Sequence, residues 1–216
     1  MTSISDTNAH SSRGWKIFLE SPEIFNFWQR ITGAEKWKRR IIREYVKPFE
    51  RARIFDLGCG TGTMLKHFDR NLNLGYVGCD INRDYIGHAN KKFKGRGKFY
   101  CCGVDSLPDE ESGFDFIIAI AIFHHLDDKT SLQLIDSVKC KLNLKGIFLI
   151  AEPVWTENQS GIEKYLMRND RGKNIKTENE YILMVKEKFY SVESMIISDS
   201  HYIPWSVNVI ICKNIS

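Results

Sequence analysis

A three-layer α/β sandwich around a mostly parallel sheet is the fold class this sequence predicts, and three observations predict it. Short apolar runs closed by Gly or Asp alternate with helix-like stretches from Arg53 onward. The runs are apolar throughout rather than at every second residue, as in strands covered by helices on both faces. A glycine-rich turn, Asp56-Leu57-Gly58-Cys59-Gly60-Thr61-Gly62, joins the first run to the helix-like stretch after it. Strand, helix and strand in succession form a parallel sheet with right-handed crossovers.

The elements follow in order. From Trp15 to Lys47 apolar residues recur at spacings of three and four, among them Phe18, Ile24, Phe25, Trp28, Ile31, Trp37, Ile41 and Tyr45, so an N-terminal helical cap is expected. Ser21-Pro22 reads as a cap followed by proline at a first helical position, which starts a second helix there. Strands are expected at Arg53 to Leu57, Tyr76 to Cys79, Lys98 to Cys101, Phe114 to Ala119 and Gly146 to Ala151. Helices are expected at Gly62 to Asn71, Arg83 to Lys94 and Ser131 to Leu142, and a polar connecting segment at Val154 to Lys176. The end of the chain reads as a helix over Glu178 to Phe189 and strands over Val192 to Ile197 and Val207 to Cys212. Their short link favours an antiparallel hairpin. The sheet thus has seven strands, six parallel and one reversed.

At 216 residues and 43% hydrophobic composition the chain can bury one sizeable core, so residues 14–216 are expected to form a single domain. Met1 to Arg13 is polar, lacks the features of a signal peptide and is expected to be a disordered tail. The longest apolar run, Phe114 to Phe123, is interrupted by Asp115 and too short to span a bilayer. The formal net charge of +4 is spread along the chain, and no nucleic-acid partner is expected. Cys59, Cys79, Cys101, Cys102, Cys140 and Cys212 mostly lie in or beside apolar runs and contain no CxxC pair. They read as buried small hydrophobes of a reducing, cytoplasmic protein without a metal.

The chemistry concentrates at the carboxyl ends of the strands, where open α/β sheets bind ligands. Glycines in the turn after the first strand let the backbone bend sharply and let a ligand approach the main chain. Asp80 ends the second strand, where a carboxylate can accept both hydroxyl protons of a ribose. His124 and His125 lie just beyond the fourth strand, and Glu152 ends the fifth, followed by Pro153. His124 is the candidate base or acceptor anchor and Glu152 a second catalytic candidate, the alternatives being a loop-orienting histidine and a solvated carboxylate. The aromatic residues Phe25, Phe27, Trp28 and Trp37 are read either as core or as a lid. Arg168, Arg171 and Lys173 could grip an anionic acceptor, though solvated charge is the commoner fate.

With these residues the chain resembles the class I S-adenosylmethionine (SAM)-dependent methyltransferases from Arg53 to Cys212. More narrowly it resembles a group of uncharacterised bacterial small methyltransferases. Phe114-Asp115, Phe123-His124-His125-Leu126, Leu144-Lys145-Gly146, Asp170-Arg171-Gly172 and Ile203-Pro204-Trp205 carry the resemblance along with the glycine turn and Asp80. It implies a Rossmann-like sheet of order 3-2-1-4-5-7-6. It assigns Asp56 and the backbone of Gly58, Gly60 and Gly62 to the methionine end of SAM, Asp80 to the ribose and Ile81 to adenine. Val104 and Ala119 complete the expected cofactor set. The stretch Cys102-Gly103-Val104-Asp105 departs from the family pattern by placing its acidic residue late, which leaves main-chain atoms at Gly103 and Val104 to meet adenine.

The expected reaction is methyl transfer to a small-molecule acceptor, at oxygen in preference to nitrogen or carbon, by a monomer or homodimer. RNA- or protein-directed methylation and a catalytically silent SAM-binding module are the alternatives. A nicotinamide-dependent dehydrogenase is disfavoured, because Gly58 to Gly62 is spaced GxGxG rather than GxGxxG.

Overall fold

A computed structural model describes residues 21–103, 106 and 111–214. The expected tail at residues 1–13, and Trp15 and Phe18 of the N-terminal helical pattern, lie outside the described residues. Helix α1 (Pro22–Thr32) begins with Ser21 as its N-cap and a proline in the first turn, and ends at Gly33 with φ of 90°. There the chain turns left-handed into α2 (Ala34–Ile41), which continues as a π-helical stretch, Ile42–Val46.

Beyond it the chain builds β1 (Arg53–Leu57), β2 (Gly75–Asp80), α3 (Arg83–Lys92), β3 (Lys98–Cys101), β4 (Phe114–Ile120), α4 (Asp128–Lys141) and β5 (Leu142–Trp155). The remaining elements are α5 (Gly161–Arg168), β6 (Lys176–Thr177), α6 (Glu178–Val185), β7 (Ser191–Ile197) and β8 (Val207–Lys213). The sheet runs β3-β2-β1-β4-β5-β8-β7, with β6 pairing β5 off this path. Only β8 is reversed, antiparallel to both β5 and β7. That is the expected order with one two-residue strand added.

Each face of the sheet carries its own core, which explains why the strands read as unbroken apolar runs. Ile54, Tyr76, Phe116, Ile118 and Leu149 pack with Trp37, Ile41 and Ile42 of the N-terminal helices and Ile86 of α3. Phe55, Val77, Ile117, Phe148 and Ile150 pack with Leu134, Ile135 and Val138 of α4 and Tyr181 and Val185 of α6. Because side chains alternate between faces, Asp56 falls among the first set and Glu152 among the second. No helix among the described residues is long and apolar enough to cross a membrane.

Four local expectations are corrected. The stretch Gly62 to Asn71 is not one α-helix but two 3-10 turns, Thr63–His67 and Arg70–Leu72. Phe68 between them is extended and buried, its ring edge-on to Tyr76, so anchoring it in the core breaks the helix. Strand β5 starts at Leu142, directly after α4 and before Gly146. The ladder slips between Phe114 and Phe116, and a Cβ at Gly146 would come 2.8 Å from the Phe114 carbonyl oxygen, so only glycine fits this bulge.

Helix α5 lies inside the segment read as polar connection. Its N-cap Ser160 accepts from the Glu163 amide, and its buried face carries Met167 and Glu163. The buried Glu163 carboxylate accepts from Ser206 N at 2.6 Å and Gln159 Nε2 at 3.1 Å, an inward-facing acid that periodicity of apolar residues cannot find. No disulfide forms among these cysteines, and only Cys59, Cys79 and Cys212 are buried; Cys101 and Cys140 are exposed and Cys102 is half-buried.

Candidate active site at the carboxyl edge of the sheet

The turn after β1 has left-handed backbone at Gly58, Gly60 and Gly62, with φ of 63°, 55° and 70°. A Cβ on Gly58 would overlap the Ile122 side chain, and one on Gly60 would lie 3.1 Å from a Phe25 ring carbon. Strand β2 lies beside β1, so Asp80 reaches the turn: its carboxylate accepts from Gly60 N at 2.9 Å and Asn82 N at 2.8 Å. Burial raises the Asp80 pKa, while the amides of Asn82, Gly60 and Ile81 oppose the rise. Ile81, the next residue, is 68% exposed and offers an apolar surface beside this carboxylate.

Asp56 is 4% exposed at the end of β1 and accepts a hydrogen bond from the Tyr76 hydroxyl. Burial pushes its pKa up to about 6, against the opposing Tyr76 hydrogen bond and the Lys38 ammonium, with Asp80 adding to the rise. Lys38 reaches in from α2 and donates to Gln29 Oε1 and Thr63 Oγ1, both at 2.6 Å. The sequence reading missed both Tyr76 and Lys38, because each lies on an apolar or basic stretch with no local motif.

The raised pKa has a consequence for stability. In the unfolded chain Asp56 ionises near pH 4, about the ordinary value. Between pH 4 and 6, roughly, the folded chain keeps a proton that the unfolded chain has lost, so stability declines as pH rises through this window. Asp56→Asn still accepts the Tyr76 hydrogen bond but cannot ionise. At pH 7 it is expected to stabilise the ligand-free protein by about 1–3 kcal/mol. Thermal melts across pH check this: the variant's advantage should vanish by pH 4, and equal melting at both pH values would refute it.

The β4–α4 connection is organised from β5. Ala121 takes φ of 57°, rare for a residue with a Cβ, and turns the chain off β4. Three successive amides then converge on Glu152: Ile122 N at 2.6 Å, Phe123 N at 2.9 Å and His124 N at 3.2 Å. The His124 ring adds Nδ1 at 2.6 Å from Glu152 Oε2, and its Nε2 lies 3.2 Å from Asp170 Oδ1.

Glu152 is fully buried and His124 is 3% exposed. Burial alone would lower the His124 pKa, but the Glu152 charge and the Asp170 and Glu152 hydrogen bonds raise it to about 9. The two expected catalytic residues therefore meet here, each with its polar side-chain atoms hydrogen-bonded or beside a carboxylate. Glu152 has both oxygens hydrogen-bonded to the loop, and the His124 ring lies between two carboxylates.

The Asp170-Arg171-Gly172 segment explains itself here. Gly172 N donates to Asp170 Oδ1 at 2.8 Å, and a Cβ at Gly172 would overlap the His124 ring. His125, by contrast, is exposed at the rim, its ring centroid 4.0 Å from that of His124. Partial burial and then the neighbouring His124 charge push its pKa down to about 4.

The other candidates scatter. Val104 lies outside the described residues. Ala119 is fully buried in the core beneath α4, paired with Leu57 and Ile150, so its side chain does not reach the rim; the chain surfaces only at Ile120 and Ala121. Of the aromatic residues, Phe25 lies over Gly60 and stacks on Tyr85 at 4.7 Å. Trp37 is core, and Phe27 and Trp28 face outward, 62% and 43% exposed. Arg168, Arg171 and Lys173 are all exposed.

A reversed strand beside a parallel sheet, with a glycine bend and a carboxylate on adjacent strand ends, is the arrangement of the class I methyltransferase fold. Residues 54–146 match the family model described as a methyltransferase domain. In fold and over this matched stretch the chain is similar to the class I SAM-dependent methyltransferases.

It is 26% identical over 129 residues to N-terminal Xaa-Pro-Lys N-methyltransferase 1-B of Xenopus laevis, covering 57% of each protein. It is 33% identical over 119 residues to probable tRNA methyltransferase 9B of Homo sapiens, covering 51% of this chain but 24% of that protein. Among solved structures it is similar to phosphoethanolamine N-methyltransferase 2 of Haemonchus contortus in complex with phosphomonomethylethanolamine and S-adenosylhomocysteine. That match has a TM-score of 0.75 at 12% identity and covers 96% of this chain and 62% of the other. The chain thus spans about half the length of the first of these relatives and a quarter of the second.

Proposed function

We propose that this chain transfers a methyl group from SAM to a small-molecule acceptor, with oxygen the favoured nucleophile. The observation that carries the reading is the pairing of left-handed glycines after β1 with the Asp80 carboxylate at the adjacent end of β2. These residues fit a nucleoside that bears an amino acid. Asp80 would take the ribose hydroxyls, Ile81 would cover adenine, and Asp56 with the glycine backbone would hold the methionine end; Gly103 and Val104 are carried from the sequence resemblance. When bound, SAM supplies an electrophilic methyl on a sulfonium.

The chain's own residues do the positioning. Phe25 closes over Gly60 from α1, and Ile122 covers Gly58, so apolar side chains exclude water from the turn. Asn26 Oδ1 lies 2.6 Å from Thr61 Oγ1 and ties α1 to the same turn. His124, the expected base, has both ring nitrogens beside carboxylates, and the exposed His125 ring is the imidazole an acceptor at this rim can reach. An acceptor hydroxyl has to lose a proton, and this ring supports the preference for oxygen.

Calorimetric titration with SAM and with NADH tests the cofactor: saturable SAM binding without NADH binding is expected, and the reverse overturns the reading. Methyl-labelled SAM incubated with enzyme and cell lysate tests the acceptor. Label is expected in the small-molecule fraction. A second reading, methylation of RNA or protein, is favoured by the names of the two curated relatives. It predicts label in the macromolecular fraction and, for RNA, binding that falls steeply with salt.

A further inference from the structure

We infer that His124, His125 and Asp170 bind a divalent first-row transition-metal ion, with Glu152 fixing the first of these ligands from behind. One donor atom from each of the three residues lies within 4.8 Å of the others. Two ligands bound at about 2.0–2.1 Å to a tetrahedral ion sit about 3.3 Å apart. His124 Nε2 and Asp170 Oδ1 already stand at 3.2 Å. His125 is exposed on the rim next to them, its ring centroid 4.0 Å from that of His124.

The support behind the site is of the kind metal-binding histidines have. A ligating imidazole usually donates its second N–H to a carboxylate, which fixes tautomer and ring orientation. His124 Nδ1 meets Glu152 Oε2 at 2.6 Å, and Glu152 is itself fixed by the amides of Ile122, Phe123 and His124. The ring cannot swing away, because the Gly172 backbone lies against it and the Asn174 amide donates to the His124 carbonyl at 3.0 Å. With Nδ1 held by Glu152 and Gly172 against the ring, Nε2 lies toward Asp170.

Charge favours an ion as well. Glu152 and Asp170 place two carboxylates on either side of the His124 ring. A divalent ion at Nε2 would balance both carboxylates. Arg171 opposes it, but is exposed and screened.

Two imidazoles and one carboxylate suit Zn, Co, Ni or Fe(II), and the exposed side leaves positions open for water or an acceptor oxygen. A hydroxyl bound there would ionise more easily, which links the site to the oxygen-acceptor reading. The binding itself does not depend on that reading or on SAM.

The test uses the whole chain, stripped with EDTA, and the metal alone. Zn2+ is titrated by calorimetry, and Co2+ by its visible absorption, which reports coordination number. One equivalent with a nitrogen-containing, four- or five-coordinate Co2+ spectrum is expected. His125→Ala, a rim residue whose loss should leave the fold intact, and Asp170→Asn are each expected to weaken Zn2+ binding at least tenfold. His67→Ala, which removes a histidine paired with Glu35 elsewhere, should leave the affinity unchanged. Absence of binding at millimolar Zn2+, or equal affinity in His125→Ala, Asp170→Asn and the unaltered chain, overturns the inference. Neither result touches SAM binding, so the two readings fail separately.

Discussion

Glu152→Gln is expected to lower the melting temperature by about 10 °C, the effect of losing about 3–5 kcal/mol when one partner of a buried ion pair is removed from a domain of this size. Glutamine keeps one carbonyl oxygen, enough for the Ile122 and Phe123 amides that now converge on Oε1. Its amide nitrogen then faces the His124 N–H and ring, two donors against a donor. The buried His124 ring loses its nearest charged partner, and the left-handed turn at Ala121 loses the bonds that offset its strain.

A catalytic carboxylate would behave otherwise: Glu152→Gln would keep its stability and lose turnover. Thermal melts of Glu152→Gln separate the two roles, and an unchanged transition would show that the three amide bonds do not hold the loop. His124→Gln provides the matching half of the cycle. If the pair acts as one unit, the double variant should be little worse than either single one.

The contrast between the two strand ends explains what could be read from the sequence. The glycine turn and Asp80 were legible because a sharp bend and a strand-end carboxylate are local requirements, each met by residue type at a fixed place in a βα unit. Unbroken apolar runs gave the parallel sheet, and the short final link gave its reversed strand, for equally local reasons.

The second half of the rim was legible only as a set of names. His124, Glu152 and the Asp170-Arg171-Gly172 segment all stood out, but their roles come from a meeting across β4, β5 and the loop after α5, which no spacing encodes. Exposed acid and base were the natural reading of a His-His pair and a strand-end glutamate. The fold places them otherwise: Glu152 is buried where three amides converge on it, and the His124 ring is buried between Glu152 and Asp170 while His125 stays at the rim. Helix α5 was missed for a related reason, since its inward face carries Glu163 where a hydrophobic residue would have announced it.

Asp80→Ala is expected to weaken SAM binding by about 100-fold. A hydrogen bond to a charged group contributes about 1.5–3 kcal/mol, and two ribose hydroxyls would lose their common acceptor. Asp80→Asn, which keeps one oxygen, should cost about tenfold on the same arithmetic. Affinity alone does not isolate the sugar contact, because the carboxylate also accepts from Gly60 N and Asn82 N, and its loss loosens the glycine turn. The ligand side of the cycle resolves this. If Asp80 grips the sugar, its removal should cost little affinity for a SAM analogue lacking the ribose hydroxyls, since that contact is already gone. If Asp80 only braces the turn, the penalty should be the same for both ligands. Calorimetry with SAM and the dideoxy analogue on Asp80→Ala and the unaltered chain measures all four corners, and a full, undiminished penalty against the analogue would place the ribose elsewhere on the strand ends.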